Sequence, residues 1–546
     1  MAVAGTRSFT GLMPRKTTDM LPAAAGQVAS NAKFSQGVLD PWRAPATILA
    51  LSSVGVVQTV YRFGQNNPNE NQFWFEWTTD VNVVKGPVPG DTQERTYWTD
   101  GTFPKKTDAT IATVAPPYPT NSYRLAVPGP GRAPFGAYTP SVSVGGTPTN
   151  ANDPQTSAVY AVTYVTAWDE ESQPSAVSSL VAFRPGQTVT VTLPTAPGGA
   201  YNINRVRIYR SNTGTSRTSF QFVDERPVGT VSYADTKASS ALGEVMQTFD
   251  WIALPDNAIG LRYHGNEIMS AFFGNTLAFS EPGVPYAWPA KYYQAFDAPI
   301  VGTGSFQQST FVGTTRGCFL VTGVDPGAMS VEQIKDAPSC VAKNSVVEML
   351  GGVVWASADG LWYVGPGGMR SLTEDILTSD QWKTYTPASI KAYVYGSLYI
   401  ASFNNGSPGT LIFDFDQKGA SFTTSDQLFS AGYWERQRDA LYVVQSNTSL
   451  RRWDAGAALT FTWRSKEFRF PMTKAMSCAK VEADAYPITF RLFADGVQRG
   501  SDITVSNARS FRLPAGRATT YSFLLTGSAR VIGAFIAESP EELGQA

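Results

Sequence analysis

Histidine and cysteine are scarce in this chain of 546 residues, which contains one histidine, His264, and three cysteines, Cys318, Cys340 and Cys478. A single histidine excludes a metal site with two or three histidine ligands, and any Ser-His-Asp triad would have to use His264. Three widely spaced cysteines cannot form a disulfide framework. We therefore expect buried, unreactive thiols in a protein that folds in a reducing compartment.

Charged residues are also few. Asp, Glu, Lys and Arg make up 16% of the chain, against about 25% in an average globular protein. The 43 basic and 44 acidic residues give a formal net charge of −1, and this balance disfavours a basic nucleic-acid-binding domain. A hydrophobic content of 42%, with 12% aromatic residues, excludes global disorder because it suffices for a large core.

No run of residues is apolar enough to predict a membrane span or a signal peptide. The most apolar window, residues 44–61, is interrupted by Pro45, Ser52, Ser53 and Gln58. It therefore predicts a pair of strands. The basic residues among the first thirty positions are not followed by the apolar core that secretory signals carry.

Short β-type runs separated by turns dominate from Val57 onward, and a strand-turn-strand unit recurs five times. The units are 34, 42, 45 and 43 positions apart and centre on Leu277, Phe311, Val353, Leu398 and Leu441. A degenerate repeat of roughly 40–50 residues is typical of propeller blades, each of which is a four-stranded sheet. Residues 57–107 resemble a sixth unit, and residues 372–382 predict one short helix.

The sequence predicts an all-β fold, namely a six-bladed β-propeller with an inserted fibronectin/Ig-like β-sandwich and a C-terminal β-sandwich-like domain. An opening segment is expected to bury little by itself and to lie along the propeller or a neighbouring subunit. The predicted parts are the N-terminal extended segment (1-50), the first propeller blade or blades with a linker (51-149), the inserted sandwich (150-255), the remaining blades (256-456) and the C-terminal domain (457-546).

Four places carry residue types that chemistry uses, and the sequence favours a structural role for each. His264 has no nucleophile elbow near it. Residues 357–362 resemble the Asp-box turn of sialidases, but a plain Asp-Gly hairpin explains them better. Asp414 and Asp416 supply too few oxygens for a calcium loop, and Arg451-Arg452-Trp453 fits strand-end packing better than stacking on a sugar or base. We predict no catalytic, cofactor-binding or metal-binding residues, and no glycosidase carboxylate pair can be assigned.

Short motifs follow one another over most of the chain: Leu21-Pro22 through Gly37-Val38-Leu39-Asp40-Pro41-Trp42-Arg43, then Trp98-Thr99-Asp100-Gly101 with Pro104-Lys105, then Phe279-Ser280-Glu281-Pro282-Gly283 with Tyr286-Ala287-Trp288-Pro289, then Ala358-Asp359-Gly360-Leu361-Trp362. In this order they resemble the tail nozzle, or tail tubular protein B, family of short-tailed bacteriophages (podoviruses). The inserted sandwich is not universal in that family, so its role is open.

The resemblance implies a structural protein without catalytic machinery or cofactors. It implies a homo-hexameric ring around the channel through which the genome leaves, docked to a tail adaptor or connector ring protein and to a tail fibre or tip protein. DNA would pass through the channel non-specifically, which suits a near-neutral protein. The protein would belong to the virion tail and assemble in the host bacterial cytoplasm, where free thiols persist.

The alternative is a carbohydrate-binding or glycoside-hydrolysing, sialidase-like β-propeller. The aromatic content, the two sandwich-like modules and the imperfect Asp-box favour it, and the lack of further copies of that box speaks against it. Hydrolysis of a defined glycan by the pure monomer, lost on mutation of one acidic residue, would distinguish this enzyme from a ring subunit.

Overall fold

The computed structural model describes residues 3–64, 67–195, 197–213, 218–415 and 422–544. The chain divides into two compact units: residues 1–79, 301–321 and 331–546 form unit 1, and residues 80–300 and 322–330 form unit 2. Nearly every regular element is a strand, so the predicted all-β class is confirmed. The described helices are α1 (Ala109–Ala112), α2 (Ser379–Lys383) and 3-10 turns at Ser35–Gly37, Ser239–Ala241, Thr248–Asp250, Ala290–Tyr292, Pro326–Ala328, Lys343–Ser345, Pro387–Ser389, Arg436–Arg438 and Glu542–Gly544.

The opening residues of unit 1 contain eight short strands: β1 (Val3–Thr6), β2 (Thr10–Leu12), β3 (Ala25–Ser30), β4 (Ala32–Lys33), β5 (Asp40–Pro41), β6 (Ala46–Ala50), β7 (Thr59–Arg62) and β8 (Trp74–Trp77). Only β2 with β3, β4 with β5 and β7 with β8 pair among themselves.

Unit 2 contains the next sixteen strands: β9 (Asn82–Lys85), β10 (Thr96–Thr99), β11 (Lys105–Thr107), β12 (Tyr123–Arg124), β13 (Val142–Gly145), β14 (Thr156–Ala158), β15 (Tyr160–Thr166), β16 (Val181–Phe183), β17 (Thr188–Thr192), β18 (Ile203–Thr213), β19 (Thr218–Pro227), β20 (Ser232–Asp235), β21 (Ile259–Gly265), β22 (Ile268–Phe273), β23 (Thr276–Phe279) and β24 (Gln294–Ala295). The first four and the last four form separate four-stranded sheets. These two sheets share a core around Tyr97, Met269 and Trp288. The eight strands between them pair only with one another, as β13-β17-β20, β14-β16 and β15-β18-β19.

The remaining strands belong mainly to unit 1. They begin with β25 (Ile300–Phe306), β26 (Ser309–Thr314), β27 (Cys318–Thr322), β28 (Ser330–Gln333), β29 (Val347–Met349), β30 (Gly352–Ala356), β31 (Leu361–Gly365), β32 (Gly368–Ser371), β33 (Lys391–Tyr395), β34 (Leu398–Phe403), β35 (Gly409–Asp414), β36 (Phe422–Ser425), β37 (Ala431–Glu435), β38 (Ala440–Gln445) and β39 (Ser449–Arg452). The sets β25–β28 and β29–β32 are separate four-stranded sheets, and β6 supplies the fourth strand beside β39 in the set that begins with β37. The set β33–β36 is one end of a 12-stranded sheet that continues from β36 into β2 and β3.

These four sets of strands stack face to face, and the side chains of β30 show why. Val353 and Trp355 enter one buried cluster with Phe311 of β26. Val354 and Ala356, on the opposite face, enter the next cluster, which also contains Tyr399 of β34. A strand buried on both faces has no solvent-facing side, so apolar and polar residues do not alternate along it. Its sequence is therefore a continuous apolar run.

The chain ends with nine strands: β40 (Phe461–Ser465), β41 (Phe468–Lys474), β42 (Cys478–Ala483), β43 (Ile488–Ala494), β44 (Val497–Gln498), β45 (Ile503–Val505), β46 (Phe511–Arg512), β47 (Ala518–Gly527) and β48 (Val531–Ala537). One sheet has the order β1-β48-β42-β46, and a second runs through β3, β40, β47 and β43. Residues of both sheets share one core, among them Val481 and Ile536 of the first and Phe490 and Leu525 of the second. The first strands of the chain therefore complete sheets built from its last.

All five sequence repeats fall on the middle two strands of a set of four neighbouring strands, from β22-β23 to β38-β39. Four of these sets are separate sheets, and the set β33–β36 is part of the 12-stranded sheet. The predicted sixth unit, residues 57–107, is wrong as a single unit. Its first part is the separate pair β7-β8, and its second part joins β12 in another sheet. The boundary was missed because aromatic and β-branched residues continue through both parts.

Two local predictions also need correction. Residues 44–61 contain β6 and the start of β7, but these strands pair with β39 and β8 rather than with each other. The helix predicted at 372–382 is shorter, because α2 begins only at Ser379. Thr378 caps it, and its side chain and that of Gln381 form a reciprocal capping box that marks the start.

A serine ladder replaces a paired strand along one edge of β15. Three serines spaced three residues apart run beside it: Ser172, Ser175 and Ser178. Their Oγ atoms accept β15 amides at 2.9–3.1 Å: Ser178 from Tyr160, Ser175 from Val162 and Ser172 from Tyr164. Their own amides donate to the carbonyls of the same three β15 residues. The spacing of three residues matches the three residues per turn of a polyproline II helix. The ladder also covers a sheet edge that could otherwise pair with another chain.

We expect Ser175→Ala to destabilise this edge, because the buried amide of Val162 loses its acceptor. The expected loss is about 1–3 kcal/mol, with faster hydrogen exchange of the amides of β15. Ser179→Ala is the matched control, since its exposed hydroxyl has no hydrogen-bond partner among the described residues. Equal exchange in both variants would contradict the role of the ladder.

Candidate functional site

His264 lies at the end of β21 and is buried. Its Nε2 donates a hydrogen bond to the carbonyl oxygen of Gly323 at 2.9 Å, and its ring packs edge-on against Phe279 with centroids 5.2 Å apart. Burial lowers the pKa of the imidazole, so the ring is neutral at pH 7. These contacts give the histidine the structural role that the sequence predicts.

All three cysteines are buried and unpaired, as predicted. Burial raises the pKa of Cys340 to about 12, and it raises that of Cys318 and Cys478 as well. Each thiol donates to a backbone carbonyl: that of Pro338 for Cys318, Ala342 for Cys340 and Ala537 for Cys478. Because the thiolate is the reactive form, these thiols are inert in the folded chain.

The native protein should therefore react slowly with a thiol reagent such as dithionitrobenzoate in mildly alkaline buffer. All three thiols should react once the chain is unfolded in guanidinium chloride. Fast reaction of one thiol equivalent in the native protein would mean that one of these sites opens in solution.

Residues 357–362 form the predicted hairpin turn between β30 and β31. Asp359 accepts a hydrogen bond from Trp362 Nε1 at 3.0 Å and another from Ser357 Oγ. Ser357 Oγ also contacts the carbonyl of Gly360 at 3.1 Å. The aspartate therefore ties the turn to the next strand.

The remaining sequence candidates also have structural contacts. Trp453 is buried against Trp42 and Phe429, which confirms strand-end packing. Arg452 contacts the carboxylate of Glu70 at 3.3 Å. Asp414 accepts from Ser397 Oγ at 3.0 Å, while Asp416 and the glycine turn after it lie outside the described residues.

A small cavity of about 230 Å³ lies beside Asp414 in unit 1. Its lining includes Trp42 and Tyr395 together with two carboxylates, Asp414 and Asp439. Lys33 also lines it, with its ammonium 5.1 Å from the Trp42 ring and 2.8 Å from Asp454. The sequence did not single out Asp439, because it lies 25 positions from Asp414 in a separate turn.

Several buried carboxylates in both units are paired with basic or hydroxyl groups. In unit 2, Glu170 binds the fully buried ammonium of Lys106 and accepts from Thr166 Oγ1 at 3.1 Å. Its neighbour Glu171 binds Arg207 at 2.8 Å and Tyr209 OH at 2.7 Å. These pairs connect β11 and β18 with the turn that follows β15.

Two further pairs have the same character. Asp235 binds Arg210 at 2.6 Å and Tyr160 OH at 2.8 Å. In unit 1, Glu435 binds Arg62, whose guanidinium is completely buried. A buried ion pair restricts geometry because neither charge can leave its partner without a large cost in desolvation.

We expect Lys106→Ala to destabilise the protein by about 3–5 kcal/mol, because it leaves Glu170 buried without a counter-charge. The double substitution Lys106→Met with Glu170→Leu should recover much of that loss. Lys291→Ala is the control, since its exposed pair with Asp250 should contribute at most about 1 kcal/mol. Denaturant unfolding of the unaltered chain and the three variants measures these losses. Equal losses of unfolding free energy from Lys106→Ala and Lys291→Ala would contradict the role of the buried pair.

A larger cavity of about 490 Å³ opens where four hairpin turns of unit 1 meet. The turns belong to the four stacked sheets and join β25 to β26, β29 to β30, β33 to β34 and β37 to β38. Each contributes lining residues, including Gln307, Leu350, Gly396 and Arg436. No sequence motif marks this cavity, because its walls come from four turns far apart in the chain.

Among the described residues, no group of three or more His, Cys, Asp or Glu side chains is placed to hold a metal ion. Within the same residues, no helix is long and apolar enough to cross a bilayer.

Comparison with known proteins gives no family for this chain. No family model and no curated protein matches it. Among solved structures, BBS1N in complex with ARL6DN has a TM-score of 0.28 at 11% identity, covering 75% of this chain and 97% of its own. The AfRom2 CNH domain has 0.25 at 9%, covering 75% and 98%. The N-terminal domain of Nup159 has 0.25 at 9%, covering 58% and 87%. TM-scores this low establish neither the fold nor the function of this chain.

Proposed function

We propose that this protein is a structural subunit of a bacteriophage tail nozzle, forming a ring around the channel for genome ejection and a platform for tail fibres or a tip plug. The observation that supports the proposal is that the side chains best suited to catalysis have structural contacts instead. The histidine bonds a backbone carbonyl, the thiols are buried, and Glu170, Glu435 and Asp235 are committed to ion pairs. Such groups hold a scaffold together.

We further propose that the four-stranded sheets are the blades of a six-bladed propeller. Six sets of four strands support this count: β9–β12, β21–β24, β25–β28, β29–β32, β33–β36, and β37–β39 with β6. Five of them are separate sheets, and β33–β36 continues through β2 and β3 into the sheet of the C-terminal strands. The last set joins an early strand to late ones, as closure of a circular array requires. The self-contained strands β13–β20 would be the inserted sandwich, and the two sheets that share the chain ends would be the C-terminal platform.

The nozzle proposal and the resemblance in short motifs together imply a homo-hexameric ring in the virion tail. The free thiols are compatible with assembly in a bacterial cytoplasm. Head-to-tail contacts between identical copies close into a ring when the rotation per copy permits it. An adaptor ring above and a fibre or tip protein below would then bind opposite faces.

Native mass measurement with negative-stain imaging tests the proposal. We expect a particle of about six copies of the 58.9 kDa chain with a central hole. A particle that stays at one copy and hydrolyses a glycan would contradict the nozzle proposal and favour the enzyme.

The carbohydrate-active propeller is the second candidate, and the smaller cavity is the observation that favours it. Asp414 and Asp439 line it beside Trp42 and Tyr395, and glycosidases commonly use two carboxyl groups across one sugar. If the chain hydrolyses a glycan, Asp439→Asn should abolish the activity while Asp426→Asn, outside the lining of this cavity, should leave it intact.

A further inference from the structure

The 490 Å³ cavity at the four hairpin turns has the size of an ordinary small-molecule site. Its lining residues are all described, and they come from the corresponding turn of each stacked sheet and the strand ends beside it. Glu435 lies between Trp434 and Arg436 in the chain, but it does not line the cavity, because its carboxylate is buried against Arg62. The proposed ring role makes no use of this cavity.

Both polar and apolar groups line its wall. Arg436 and Gln307 are exposed, and Glu348 is half-buried. No ion pair of Arg436 is present among the described residues, so its five N–H donors are not committed to a carboxylate. Leu350, 40% exposed, and the ring of Trp434 supply apolar surface.

Rigid contacts hold this wall in place before any ligand binds. The backbone amide of Ser305 donates to Glu348 at 2.8 Å, and Tyr363 OH donates to the carbonyl of Leu350 at 3.0 Å. The guanidinium of Arg436 lies 5.2 Å from the centre of the Trp434 ring. A preorganised wall lowers the entropy cost of binding.

The chemistry of the wall narrows the class of ligand. A small anion would meet the carboxylate of Glu348, and a small cation would meet Arg436. A purely apolar ligand would displace water from Glu348 and Arg436 without replacing the hydrogen bonds that the water makes. A sugar ring satisfies all of these groups, because each hydroxyl both donates and accepts while its C–H face packs on apolar side chains.

We propose that this cavity is a saccharide-binding site, with Arg436, Gln307 and Glu348 bonding ring hydroxyls and Leu350 and Trp434 packing on the sugar. In a tail protein such a site would contact a surface polysaccharide of the host cell. The site lies in a single chain, so it does not depend on ring assembly, and the two proposals can fail separately.

The test is saturation-transfer NMR on the full-length chain with a panel of glucose, galactose, mannose, rhamnose, N-acetylglucosamine and their disaccharides at millimolar concentration. We expect transfer to at least one member. Arg436→Ala should weaken its affinity about tenfold or more, as expected for the loss of a hydrogen bond from a charged donor. Gln307→Asn should weaken it less, since the shorter amide tolerates the same left-handed backbone.

Arg7→Ala is the matched control. Arg7 is also an exposed arginine, 5.8 Å from the centre of the Phe535 ring, but it does not line the cavity. The Arg7→Ala variant should bind the saccharide like the unaltered chain. Absence of transfer to every member of the panel, or equal weakening by Arg7→Ala and Arg436→Ala, overturns the proposal. Binding by a chain that never forms a ring supports this site while contradicting the nozzle.

Discussion

Pairing between the beginning and the end of the chain is the constraint on which unit 1 depends. Strand β1 adds to β48, β3 to β40, and β6 to β39. These contacts join residues about 400 or more positions apart, and closing such loops costs conformational entropy before any contact offsets it. The early strands are too short to be stable by themselves, so they become ordered only on sheets that the later chain provides.

Buried ion pairs impose a second constraint, which limits the reactions that their side chains can take part in. Lys106 with Glu170 and Arg62 with Glu435 are closed to solvent, and each is tolerated only because its partner is present. Carboxylates held this way are poor general acids or bases. Acidic and basic side chains of the kind that enzymes use in catalysis therefore contribute here to a rigid scaffold. The groups that remain available, such as Arg436, lie at turns where they can contact a ligand.

Sequence periodicity revealed much of the fold where a strand repeats its environment. The five repeats mark the middle strands of five sheets because those strands are buried on both faces and keep an apolar composition. Periodicity failed where the partner of a strand lies far away. Residues 44–61 contain two strands, but nothing local indicates that β6 pairs with β39. The sequence pattern did not predict the serine ladder, because its period of three residues matches neither that of an α-helix nor that of a β-strand.

The sequence by itself determined the all-β class, the positions of the repeated hairpins and the structural roles of His264 and the thiols, because these follow from composition and local pattern. Tertiary structure alone decided which strands pair, which charges meet and where a cavity opens. Strand alternation specifies a buried face without specifying the partner that covers it. Four turns separated by dozens of residues can therefore line one cavity without leaving any sign in the sequence.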